Sequence, residues 1–268
     1  MVIKHPHKNQ KDVRNKKLFI FYRYIYRDMD KNDFFDRSIT NDEMYNECVD
    51  LFHKDTTLIN FRQFICETKG GFGDNAHCIM WDKIVDLLPS NFRFIEIGVY
   101  KGQVLALVAI AAKKYNKKYN ITGISPLTNI GDKYTQYDNV NYIDYIHKIH
   151  NTFNLEFSDD QIIKGISTDS HIKDQVKLLD KFDVIYIDGG HDYETVVSDI
   201  QLAKQICNND GYIVMDDAST FLDFNINIFK GHNEVSLAVN DHLQTDNNFI
   251  EKKCVGHNRI FKKVNVNI

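Results

Sequence analysis

The chemistry-bearing residues of this 268-residue chain lie in two acidic clusters, one with a histidine. Asp188-Gly-Gly-His191 follows one short apolar run and Asp216-Asp217 follows another, 28 residues on. Carboxylates at the ends of neighbouring strands, ~4.8 Å apart, can share a divalent cation at oxygen–metal distances of ~2.0–2.5 Å. Without a cation, Asp188, Asp216 and Asp217 would repel one another and one would stay protonated. The competing reading has Asp216 bonded to a helix N-terminus and Asp217 facing water. His191 suits proton transfer near neutral pH; the alternative is a helix N-terminal residue with no chemistry.

A third cluster is Glu96-Ile-Gly98-Val-Tyr100-Lys-Gly102. Its glycines let backbone approach a ligand and open a helix whose N-terminus attracts anions, and Glu96 suits an ammonium group. The spacing is not the Gly-x-Gly-x-x-Gly of dinucleotide sites. Ser125 follows a further apolar run, and Ser167, Thr168 and Asp169 another. Five runs thus end in polar or glycine residues while their bodies stay apolar. In open α/β sheets ligands bind beyond the carboxyl ends of the strands.

The elements that must position these residues are short apolar strands alternating with helical patterns. Strands are expected at 92–97, 120–124, 161–166, 182–187, 211–215, 249–254 and 259–264, and helices at 102–117, 174–179, 193–207 and 235–243. Alternation implies βαβ units and a parallel sheet covered on both faces. The last two strands are joined by a short turn and must be antiparallel. The expected fold is therefore α/β, doubly wound and mostly parallel. Residues 1–90 form a separate region. A basic arm, 1–27, holds eight lysines and arginines against Asp12. Residues 28–90 read mostly helical, with Met44, Cys48, Leu51 and Phe52 at helical spacing after Thr40 and Glu43, a capping pair. Gly70-Gly-Phe-Gly73 with Asp74 and Asn75 reads as a helix-breaking loop, a lid being the alternative. His77 and Trp81 on the next helix read as packing. Asp144, His147 and His150 read as a partly exposed polar face rather than a metal site. Tyr134, Tyr137, Tyr142 and Tyr145 lie in the connection where an acceptor would dock.

A net charge of −4 argues against a bulk-charge nucleic-acid binder, and no apolar run approaches the ~20 residues of a membrane span. Five cysteines without a Cys-x-x-Cys pair suit a reducing, cytoplasmic setting.

Phe94-Ile-Glu-Ile-Gly-Val-Tyr-Lys-Gly102 resembles the first motif of class I S-adenosylmethionine-dependent methyltransferases. Ile187-Asp-Gly-Gly-His-Asp-Tyr-Glu194 with Gly211-Tyr-Ile-Val-Met-Asp-Asp217 is similar to the subgroup that includes the macrocin and mycinamicin sugar O-methyltransferases. The resemblance spans residues ~92–268. It implies a Rossmann-like, seven-stranded domain over residues 91–268, with 1–90 supplying lid, substrate or oligomer contacts. It implies that Glu96, Gly98 and Gly102 hold the methionine part of S-adenosylmethionine, with Tyr100 and Ser125 also in contact. Ser167, Thr168 and Asp169 would border the adenine. Asp188, Asp216 and Asp217 would bind magnesium or another divalent cation, and His191, beside Asp188, would be the general base. The family's second strand ends in an acid that grips the ribose; Ile124-Ser125-Pro126 has none. The implied acceptor is a sugar hydroxyl of a glycan or glycosylated small molecule. Two readings compete: a nucleic-acid methyltransferase using the basic arm, and a methyltransferase-fold scaffold without activity. Self-association stays open.

Overall fold

The computed structural model describes residues 33–129 and 140–264. The basic arm at 1–27, Tyr134 and Tyr137 lie outside them. Contacts divide the chain into residues 1–37 and 38–268. The described part of the first unit is a single 3-10 turn, Phe34–Asp36, capped by Asp33.

The second unit begins with three helices: α1 (Asn41–Phe52), α2 (Thr56–Thr68) and α3 (Asn75–Leu87). The Thr40–Glu43 capping box expected from sequence starts α1, with Thr40 N–H donating to Glu43 at 2.7 Å and Glu43 N–H to Thr40 at 3.2 Å. The middle helix, α2, is capped by Asp55 and ends on Lys69 in the left-handed region. Asp74 caps α3 by accepting from His77 N–H. Lys117 donates to the carbonyls of Val85, Asp86 and Leu88 at the other end, a cation where the helix dipole favours one.

The remaining elements alternate: β1 (Asn91–Ile97), α4 (Gln103–Lys114), β2 (Lys118–Ser125), α5 (Tyr142–Thr152), β3 (Ile162–Lys164), α6 (Ser170–Lys177), β4 (Phe182–Ile187), α7 (Tyr193–Ile206), β5 (Cys207–Met215), α8 (Asn233–Val239), β6 (Phe249–Val255) and β7 (Asn258–Lys263). They form one seven-stranded sheet in the order β3-β2-β1-β4-β5-β7-β6. β1 to β5 are parallel, while β7 runs antiparallel to both β5 and β6. The doubly wound α/β sheet with its antiparallel C-terminal strand is as the sequence predicts. Several bounds differ, among them that of β5, which begins at Cys207 rather than Gly211. β3 is only three residues long, although the N–H of the following Gly165 still donates to the Ser125 carbonyl at 2.9 Å. α6 starts earlier than expected, and α8 passes into a π turn at Asn240–Gln244.

Alternation along each strand divides the core. Ile95, Ile97, Ile185, Ile187, Ile213 and Met215 pack on one face with residues of α6, α7 and α8. Trp81 packs on Phe94 and Tyr186 on the other face, at ring separations of 5.5 and 5.0 Å. α4 is buried from Gln103 to Ala112, as its all-round apolar pattern requires. Strand order reverses between β1 and β4, which opens a crevice beyond their carboxyl ends.

Candidate active site

A cavity of about 310 Å³ occupies this crevice. Its wall is built where the turns after β1 and β4 cross. Gly98 has φ +103°, and a Cβ there would lie 2.0 Å from the Asp188 carbonyl oxygen, so only glycine permits the crossing. Asp188 N–H donates to Ile97 at 2.8 Å and Asp216 N–H to Ile187 at 3.0 Å. Ile187 is registered with Met215, so the next residues, Asp188 and Asp216, leave adjacent strands side by side, and their carboxyl groups hydrogen-bond each other.

Glu96, Gly98, Tyr100, Gly102, Asp188, His191, Asp216 and Asp217 all line this cavity, as the sequence pattern predicts. Ser125, Ser167, Thr168 and Asp169 are not among its lining residues. Ser125 is buried, donates to the Val99 carbonyl at 2.7 Å and accepts from Leu127 N–H at 3.1 Å. Its hydroxyl is thereby engaged within the fold. Ser167 is buried while Thr168 and Asp169 are partly exposed at the end of β3.

Two histidines that the sequence reading missed complete the rim. His232 Nε2 and His191 Nε2 each lie 3.3 Å from Asp217 Oδ2, and His257 Nε2 lies 3.2 Å from Asp216 Oδ1. His257 occupies the two-residue turn between β6 and β7, held by Ala218 N–H donating to its carbonyl. His232 N–H donates to the Asp217 carbonyl at 2.9 Å. Asp217 itself sits at φ +53°, and a Cβ on Gly231 would lie 2.1 Å from the Asp217 backbone. A non-glycine residue held in the left-handed region is typical of functional sites.

Burial and crowding of charge set the electrostatics. Burial, then the charge of Asp216, pushes Glu96 up to about 8. Burial, then Asp216, Asp217 and Glu96, raises Asp188 well above the carboxylate range. Burial works to raise Asp216 as well, but the neighbouring His257 outweighs it and Asp216 stays ionised. His257 is pushed down by burial but raised more by Asp216, to about 9.

Among the described residues, two donor groups have ligand atoms within 4.8 Å of one another: His191, Asp217 and His232, and Asp216, Asp217 and His257. Asp188 belongs to neither; it stands behind Asp216 as a hydrogen-bond partner, the place of a group that orients a metal-binding carboxylate. The second group, two carboxylates and an imidazole at one rim, fits a divalent cation. The helix bearing Asp144, His147 and His150 gathers no such group; His147 pairs with Asp159 at 2.6 Å and His150 is buried against the Ile146 carbonyl.

The fold is like that of solved methyltransferases, and residues 95–218 match the family model described as "Methyltransferase domain". The solved structures it resembles include a putative caffeoyl-CoA O-methyltransferase from Staphylococcus aureus (TM-score 0.56, 14% identity, covering 82% of this chain and 99% of that one). An O-methyltransferase from Bacillus cereus in complex with SAH gives a TM-score of 0.51 at 14% identity, covering 79% and 91%. TomG from Streptomyces achromogenes, an O-methyltransferase of tomaymycin synthesis in complex with SAM, gives 0.51 at 12% identity, covering 85% and 100%. At these identities the likeness establishes the fold. A curated relative, the uncharacterized protein R132 of Acanthamoeba polyphaga mimivirus, is 33% identical over 129 residues. That match covers 47% of this chain and about half of the relative, 52%. No helix among the described residues is long and apolar enough to cross a membrane.

Proposed function

We propose that the chain is an S-adenosylmethionine-dependent O-methyltransferase, assisted by a divalent cation and acting on a sugar hydroxyl of a glycan or glycosylated small molecule. The observation that supports it best is the convergence in one cavity of the buried Glu96 carboxyl, whose Oε2 has no partner among the described residues, and the Asp188–Asp216–Asp217–His191 rim. Glu96 meets the ammonium of the methyl donor, and Gly98 lets the backbone lie close against it. The adenosine end extends toward Ser125 and on to Ser167, Thr168 and Asp169.

Methyl transfer from a sulfonium is an in-line displacement, so the protein's main tasks are to align the acceptor oxygen and remove its proton. Asp216, Asp217 and His257 would hold the cation, magnesium or another divalent ion, which when bound lowers the pKa of an acceptor hydroxyl. His191 takes the hydroxyl proton at an imidazole nitrogen; its contact with Asp217 orients the ring and stabilises the imidazolium that forms. The exposed rings of Phe72 and Phe229 stand at the cavity wall and offer flat faces to a sugar ring.

The test is turnover of a sugar acceptor with radiolabelled donor. His191→Ala lowers kcat about a hundredfold or more if His191 is the base, and EDTA abolishes turnover. Activity that survives EDTA and a loss below about tenfold in His191→Ala refute the cation and base roles. The scaffold reading draws on Ser125, whose hydroxyl is consumed within the fold; it predicts no calorimetric binding of S-adenosylhomocysteine.

A further inference from the structure

His77 and Trp81, which the sequence suggests are packing, hold a polar arrangement. Trp81 Nε1–H donates to His77 Nε2 at 2.9 Å in the buried interior. An indole nitrogen only donates, so His77 Nε2 must accept and the ring hydrogen sits on Nδ1. Burial lowers His77 to about 4, which keeps the ring neutral. His77 is 4% exposed, lines the cavity, and its Nδ1 has no hydrogen-bond partner among the described residues.

The same is true of two other lining residues. Gln103, 6% exposed, leaves its amide Nε2 unmatched, and Glu96, 3% exposed, leaves Oε2 unmatched. A buried donor without an acceptor is costly, and native structures rarely keep one without reason. The loop Gly70–Gly73 lies against both side chains. A Cβ on Gly71 would lie 1.8 Å from Gln103 Oε1, and one on Gly73, at φ +90°, would lie 3.0 Å from His77 Nδ1. The three residues thus present two neutral N–H donors and one acid to a single cavity. Gln103 is also the first residue of the twelve-residue helix α4, where the dipole favours an anion.

We propose that His77 and Gln103 together receive the carboxylate of the methyl donor's amino-acid end while Glu96 takes its ammonium, with Trp81 as the positioning residue that fixes the hydrogen on His77 Nδ1. This rests on the methyl-donor reading above. The complement to an ammonium and a carboxylate on one carbon is an acid next to donors, which a lone acceptor hydroxyl does not require.

Calorimetry on the full chain separates the assignments. The probes are S-adenosylhomocysteine and 5′-methylthioadenosine, which keeps the adenosine and thioether but lacks the amino-acid end. His77→Phe and Gln103→Leu each weaken S-adenosylhomocysteine about tenfold or more and leave 5′-methylthioadenosine within about twofold. Trp81→Phe gives the same selectivity with a smaller loss, and the imidazole nitrogen resonances of His77 then report a mixture of tautomers. Parallel weakening of both ligands means a structural role and overturns the proposal, as does unchanged S-adenosylhomocysteine affinity in the folded variants. If His77→Phe lacks a cooperative unfolding transition, Gln103→Leu decides by itself. Wild-type protein that binds 5′-methylthioadenosine as tightly as S-adenosylhomocysteine overturns the carboxylate assignment and leaves the methyl-donor reading standing. Binding of neither ligand overturns both.

Discussion

Replacing Glu96 with glutamine is expected to stabilise the ligand-free protein and weaken its grip on the methyl donor. Burial and Asp216 hold Glu96 at about 8 against an ordinary 4.5. A raised acid contributes fully below its unfolded pKa and loses that contribution as pH rises through the folded value. The loss therefore begins near pH 4.5 and is complete above pH 8. At about 1.4 kcal/mol per pH unit, it reaches about 3 kcal/mol at pH 7 and about 5 kcal/mol at pH 9. Glutamine stands in for the protonated carboxyl and avoids the loss. Glu96→Gln should match wild type near pH 4.5 and unfold roughly 6–12 °C higher at pH 7. Thermal and urea unfolding between pH 4.5 and 9, with donor and metal removed, measure the difference. A difference that does not grow with pH, or one of opposite sign, refutes the electrostatic account. The same carboxyl should ionise when an ammonium arrives. Binding of S-adenosylhomocysteine at pH 7 then releases close to one proton from wild type, seen as buffer-dependent enthalpy, and none from Glu96 in the variant.

Other expectations concern the frame of the site. His257 is raised from 6.5 to about 9, so its contribution is full below pH 6.5 and disappears as pH rises through 9. His257→Asn should accordingly lose about 3 kcal/mol at pH 6 and much less at pH 9.5, as urea titrations at the two pH values would show. Gly98→Ala forces a Cβ into the Asp188 carbonyl and should destabilise by about 3 kcal/mol or more while abolishing donor binding, read by unfolding and calorimetry. Gly231→Ala displaces the Asp217 backbone; manganese affinity, followed by electron paramagnetic resonance, should fall at least about tenfold, with S-adenosylhomocysteine affinity within about threefold of wild type.

All seven strands and most helices are legible because they obey simple periods. Phe182–Ile187 and the all-apolar α4 declare themselves by composition, and the motif residues Glu96, Gly98, Asp188, Asp216 and Asp217 follow because strand ends are where such folds place polar groups. β3 reads longer in sequence than it is, because the apolar pattern runs on to Ile166 while the registered pairing with β2 stops at Lys164. His232 and His257 were not found, since neither ends a parallel strand. They arrive from a loop and from a hairpin turn, each directly after a glycine with positive φ, and only the Gly-His dipeptides at 231–232 and 256–257 hint at it. The internal hydrogen bonding of Ser125 is hidden in sequence for a different reason. A serine after a strand looks available, but the Val99 carbonyl lies within reach of its hydroxyl. His77 and Trp81 share one helical face, which sequence spacing shows, but whether such a pair packs or bonds depends on ring orientation.

The place of β7 in the sheet bears on how the chain matures during synthesis. β7 lies between β5 and β6, yet it leaves the ribosome after both of them. Until residues 258–263 emerge, β5 has an open edge, β6 has no neighbour, and His257 has no anchored turn from which to reach Asp216. A nascent chain can assemble the parallel half, with its Glu96 and Gly98 crossing, well before the histidine rim exists. Under the proposed function, capture of the methyl donor and binding of a cation would then be separate events in time, with the last hairpin acting as the latch that converts one state to the other.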